Sequence, residues 1–122
     1  MKNILLIFIG GGGGSVFRYL LGKWLNTGAL LPWGTFVANV GGSFLIGLIL
    51  AYTGKHESQW PIYLLAVGFC GGFTTFSGFA FENLQFITEK AFLSFSIYSV
   101  LTFASCIFAV FCGILTYKYF IG

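Results

Sequence analysis

The 122-residue chain is 57% hydrophobic, 20% aromatic and only 7% charged, with a mean hydropathy of +0.92; soluble domains carry about 25% charged residues. That composition excludes a water-soluble domain, and four spans of about 20 residues each leave no room for a nucleotide-binding module or a catalytic lobe. Six Lys or Arg against three Glu and no Asp give +3, too sparse for the clustered basic face that nucleic acid requires, so the chain reads as a small integral membrane protein.

The first span is expected from roughly Ile4 to Leu25. Lys2 followed by an apolar run has the look of a secretion signal, but no A-x-A cleavage site follows, and apolar character resumes after Gly10–Gly14. The segment is therefore read as a retained span. Five consecutive glycines would ruin a soluble helix, whereas in a membrane small residues let helix backbones approach closely. Asn26, Thr27 and Gly28 mark a loop. Pro32 and Trp33 open the second span, which ends near Tyr52, with Trp33 and Tyr52 at interfacial positions. The most polar loop, Thr53 to Trp60, includes His56, read as solvated. A first-turn proline, Pro61, starts the third span, running to Ile87. Thr88, Glu89 and Lys90 form a tight turn, and the fourth span covers Phe92 to Tyr119. One domain, 1–122, holds all four spans (4–25, 33–52, 61–87, 92–119).

Orientation is nearly unbiased. Lys2, Lys55 and Lys118 fall on one side of a four-span chain and Lys23 and Lys90 on the other, with Arg18 inside the first span. Without a positive-inside excess the chain can insert both ways. Antiparallel pairing of two copies becomes a serious reading.

The densest unusual stretch is Gly68-Phe69-Cys70-Gly71-Gly72-Phe73-Thr74-Thr75-Phe76-Ser77-Gly78-Phe79-Ala80-Phe81-Glu82. Its glycines and hydroxyls favour a break in the third helix, and non-helical backbone at that depth survives only inside protein or against a wet cavity. A continuous helix with packing glycines is the alternative. Phe73, Phe76 and Phe79 recur every three residues and would share one helix side. They either face lipid or turn their electropositive ring edges toward an anion. Asn39, Ser43 and Gly47 lie on one stripe of the second span, where an amide marks a helix contact or a pathway. Tyr98, Thr102, Ser105 and Cys106 give the fourth span a weaker polar face. Arg18 either snorkels or sets a positive field at a pathway mouth. Glu82 could cap a broken segment, pair with a hydroxyl, or titrate.

Enzymatic signatures fail. Gly22-Lys23 has Phe17 where a phosphate-binding loop needs glycine, no dinucleotide fingerprint exists, and no His/Cys/carboxylate ligand set is present. Cys70, Cys106 and Cys112 form no CxxC and read as small apolar residues.

Taken together, Gly10–Gly14 with Arg18, Asn39-Val40-Gly41-Gly42-Ser43-Phe44, and above all Gly68 to Ser77 resemble the Fluc (CrcB-type) fluoride channels over essentially the whole chain. The resemblance implies an all-α membrane protein of four spans with the third broken mid-membrane. It also implies an antiparallel, dual-topology homodimer in a bacterial inner membrane, with two pathways that let fluoride leave the cell down its gradient. By match, the pathway would use Asn39, Phe76, Phe79, Ser77, Thr102 and Tyr98, with Arg18 in a vestibule and Glu82 on span three. A structural sodium ion at the dimer centre would sit on the backbone carbonyls of Gly71 and Thr74 from both copies. Gly78 and Cys106 depart from the pattern, standing where relatives often carry hydroxyls. The rival from another class is a small multidrug-type, proton-coupled cation exporter, also of four antiparallel spans. That chemistry places its carboxylate on span one, where this chain has Arg18.

Overall fold

The computed structural model describes residues 1–26, 28 and 30–122. The described residues are all-helical, and four helices are long and apolar enough to cross a membrane: Lys2–Leu25, Trp33–Thr53, Ile62–Thr88 and Phe92–Ile121. Dividing the third stretch in two, we label the segments α1 (Lys2–Leu25), α2 (Trp33–Thr53), α3 (Ile62–Cys70, continuing as Gly71–Phe73), α4 (Phe76–Thr88) and α5 (Phe92–Thr116, continuing as Tyr117–Ile121).

The core is thin. Tyr98 and Cys70 are the large side chains that lie fully buried, while phenylalanines and leucines crowd the outside. Lipid is as apolar as leucine, so burial from water cannot hold such helices together; close backbone packing must. The glycines supply it. A methyl on Gly10 would run into the Leu64 carbonyl, and one on Gly14 into the Phe69 carbonyl and, at 2.8 Å, the Phe73 amide. From the opposite side, Gly68 approaches the Gly10 Cα and Gly72 the Gly11 carbonyl. These four glycines weld α1 to α3. Gly12 and Gly13 meet nothing, so only part of the glycine run does this packing. Gly47 and Gly113 make the equivalent crossing between α2 and α5.

Two joints fix the ends of the bundle. The Asn26 side-chain carbonyl accepts from the Gly34 amide at 2.6 Å, tying the end of α1 to the start of α2. After α4, the Ala91 amide reaches the Phe86 carbonyl and the Lys90 amide that of Ile87. This is a Schellman closure with Lys90, at φ 59°, in the left-handed position usually given to glycine.

His56 is not merely solvated. Its ring stacks on Tyr52 at 4.2 Å, and its Nε2 lies 3.2 Å from the Tyr117 hydroxyl, so the polar loop is fastened to the end of α5.

Candidate functional site

The third apolar stretch is helical on both sides of Thr74 and Thr75. Thr74 has φ −81°, ψ 154° and Thr75 φ −149°, ψ 116°, both extended. The nine residues Ile62–Cys70 are π-helical, and Gly71–Phe73 returns to α-helix before Thr74; nothing in the sequence signalled the widened stretch. Two extended residues advance and rotate the chain, so the three-residue spacing of Phe73, Phe76 and Phe79 does not carry across. Phe73 is buried in a cluster with Phe17 and Phe69, at 5.4 and 5.2 Å. Phe76 and Phe79 instead pair with each other at 5.8 Å, and Phe79 reaches Tyr98 at 5.2 Å.

Extended backbone strands its polar groups unless partners are supplied. Asn39 on α2 supplies two. Its side-chain oxygen accepts from the Thr75 amide at 2.8 Å, and its Nδ2 donates to the Thr75 carbonyl at 3.3 Å. Gly42, one turn along, is small because the Thr74 methyl occupies the place of its side chain. From α1, the Arg18 Nε donates to the Gly72 carbonyl at 3.0 Å. Thr74 returns its own hydroxyl to the Cys70 carbonyl at 2.7 Å. The Thr75 hydroxyl caps α4 by accepting from the Gly78 amide at 2.9 Å, and lies 3.2 Å from that of Ser77. Among the described residues, the Gly71 and Thr74 carbonyls accept no hydrogen bond.

Beside Thr74 and Thr75 lies a groove of about 390 Å³, walled by α2 (Asn39, Ser43), Thr74 to Phe76, Phe79, and α5 (Thr102, Cys106). Ser43 directs its hydroxyl to the Asn39 carbonyl of its own helix at 2.7 Å. Thr102 does not back-bond: its hydroxyl is buried with no partner among the described residues. The groove carries no formal charge, and Phe76 stands at its rim 80% exposed.

Glu82 lies one turn beyond Phe79 on α4. Thr35 donates to one of its oxygens at 2.8 Å and Tyr98 to the other at 3.0 Å. Both hydroxyls are buried with their residues, so each carboxylate oxygen has a donor inside the bundle. Thr35 was not among the residues expected here; a hydroxyl one turn before Asn39 on the same stripe was the available signal. A second cleft of about 260 Å³, lined by Asn26, Pro32, Glu82 and Gln85, opens at this end.

The structure thus gathers Asn39, Phe76, Phe79 and Thr102 around one groove and joins Tyr98 to Glu82. Ser77 and Arg18 do not line that groove.

The family described as "CrcB-like protein, Camphor Resistance (CrcB)" matches residues 5–114. The chain belongs to the CrcB family. Among CrcB relatives, the "Fluoride-specific ion channel FluC" of Leptospira interrogans serogroup Icterohaemorrhagiae serovar copenhageni (strain Fiocruz L1-130) is 44% identical over 124 residues, covering 98% of this chain and 97% of that one. The protein of the same name from Gloeothece citriformis (strain PCC 7424) is 41% identical over 121 residues, covering 97% and 98%. That from Phocaeicola vulgatus is 42% identical over 117 residues, covering 93% and 97%. With four membrane-length helices and these CrcB relatives, the chain is a multi-pass membrane protein.

Proposed function

We propose that this chain is a fluoride channel, not an enzyme, and that the groove beside Thr74 and Thr75 forms one wall of its pathway. The observation that carries the reading is an uncharged groove lined by Asn39, Ser43, Thr74, Thr75, Phe76 and Phe79, with the Thr102 hydroxyl enclosed in its wall without a partner among the described residues. The curated relatives named for fluoride channels support it.

Fluoride is small and holds its water tightly, so a pathway must replace lost water with close donors. The Thr102 hydroxyl and the second N–H of the Asn39 amide are such donors. The positive ring edges of Phe76 and Phe79 add attraction without a full charge that would trap the ion. Weak, successive sites let an ion leave as readily as it enters. The Glu82 carboxylate, held by Thr35 and Tyr98, would receive no anion directly; Tyr98 and Thr35 would have to turn their hydroxyls toward a passing ion.

One chain offers only half an enclosure, since Phe76 is open at the groove rim. An antiparallel second copy would close the groove and, by symmetry, create a second one, giving two pathways per homodimer. The domain is the whole chain. In a bacterial inner membrane such a passive path would release fluoride that entered as neutral acid and dissociated inside.

Sodium fits the same reading. No three His, Cys, Asp or Glu residues cluster among the described residues, so a cation would need backbone oxygen. The Gly71 and Thr74 carbonyls, free of hydrogen bonds, are of the hard-oxygen type that it prefers. Held there between two copies, it would add fixed positive charge to a pathway poor in it.

Efflux from liposomes containing only the purified chain, with valinomycin to clear the voltage, tests the proposal. Fluoride release without chloride release is expected. Absence of fluoride release from folded protein would overturn it.

A further inference from the structure

The three cysteines have different surroundings. Cys70 is 1% exposed inside the bundle, and Cys112 lies outside the groove, whereas Cys106 is a free, part-exposed thiol on the groove wall. It stands one turn after Thr102 on α5, so the two side chains share a helix face. The same wall also holds a polar group left without a partner. Thr102 is 6% exposed, lines the same groove, and its hydroxyl has no partner among the described residues.

We infer that Cys106 is a modification site within the pathway, where a mixed disulfide with a small disulfide or thiosulfonate stops fluoride flow. The inference rests on the channel reading above. The Cys106 thiolate attacks one sulfur of the reagent, forming a new S–S bond while the old one breaks. The displaced thiolate or sulfinate leaves with the electron pair, and the proton lost by Cys106 passes to solvent or to that leaving group. Cys106 is thereby oxidised and the departing half reduced; an added thiol reverses the exchange.

Two effects follow at the groove. A weak S–H donor beside Thr102 is replaced by a methyl disulfide that donates nothing. The added group also takes space in a groove of about 390 Å³ that a dehydrated ion must share. Both effects raise the cost of passage where donors are already few.

The test uses the full chain in liposomes treated with methyl methanethiosulfonate, a small neutral reagent. Fluoride efflux and the masses of the cysteine peptides are measured on the same sample. The expected result is one methylthio group on Cys106, an efflux lowered at least about tenfold by loss of donor and space, and recovery with dithiothreitol. In C106S the ratio of treated to untreated efflux stays near unity, whereas C112S remains sensitive. Undiminished efflux with Cys106 labelled overturns the inference, as does an unlabelled Cys106 or a block that survives in C106S. Absence of fluoride efflux before treatment is a different outcome: it overturns the channel reading, and the inference falls with it.

Discussion

Asn39 commits both ends of its carboxamide to Thr75, one to the amide and one to the carbonyl. It therefore braces the extended residues as well as facing the groove, and these roles separate by substitution. Asn39→Asp keeps an acceptor for the Thr75 amide but loses both N–H groups and sets an anion beside a carbonyl. Asn39→Ala strands both Thr75 groups, and a buried unpaired polar group costs about 1–3 kcal/mol. We expect Asn39→Ala to lower unfolding stability in detergent by about 1–3 kcal/mol for each group left unpaired and Asn39→Asp to abolish fluoride efflux from liposomes. Full efflux in Asn39→Asp would remove this amide from the pathway. The sequence marked Asn39 as either helix contact or pathway lining; the geometry shows the contact with Thr75 and sets the same residue on the groove wall, where its second N–H would serve the proposed pathway.

At the scale of elements, the four apolar helices were readable because hydropathy and length are composition-level signals. The interplay of α3 and α4 was not. Three phenylalanines at a spacing of three read as one face, yet Phe73 packs with Phe17 and Phe69 while Phe76 and Phe79 turn toward Tyr98. Side-chain periodicity holds only while dihedrals stay helical, and Thr74 and Thr75 do not. Nor could the glycine run reveal which of its members pack. Gly14 faces the Phe69 carbonyl and Gly13 faces open space, a distinction that needs the neighbour's position. Gly14→Ala should therefore force α1 and α3 apart, with overpacking costing about 1–3 kcal/mol. Gly13→Ala should be neutral or raise stability by up to about 1 kcal/mol through helix propensity. Thermal unfolding of the two variants in the same detergent measures the difference, and equal destabilisation would refute the glycine weld.

On the scale of the whole molecule, lysine placement and the half-open groove point to the same arrangement. Lys2, Lys55 and Lys118 mark one end of a four-span chain, Lys23 and Lys90 the other. So small a difference specifies orientation only weakly, since the bias is set by the count of Lys and Arg in short loops. Two copies inserted oppositely could each present the groove rim at Phe76 to the other. If function needs both orientations, a chain forced into one must lose it. Ser58→Lys with Gln59→Lys loads the loop before α3, whereas Thr88→Lys with Glu89→Lys loads the opposite end; all four positions are exposed. Reporters fused to the carboxyl terminus should read both sides for the parent chain and mainly one, opposite side for each double variant. Either variant alone should fail to protect cells against fluoride, and co-expression of the two should restore protection, because only the mixture contains both orientations. A single, uniformly oriented variant that still protects would refute antiparallel pairing while leaving the fluoride pathway itself standing.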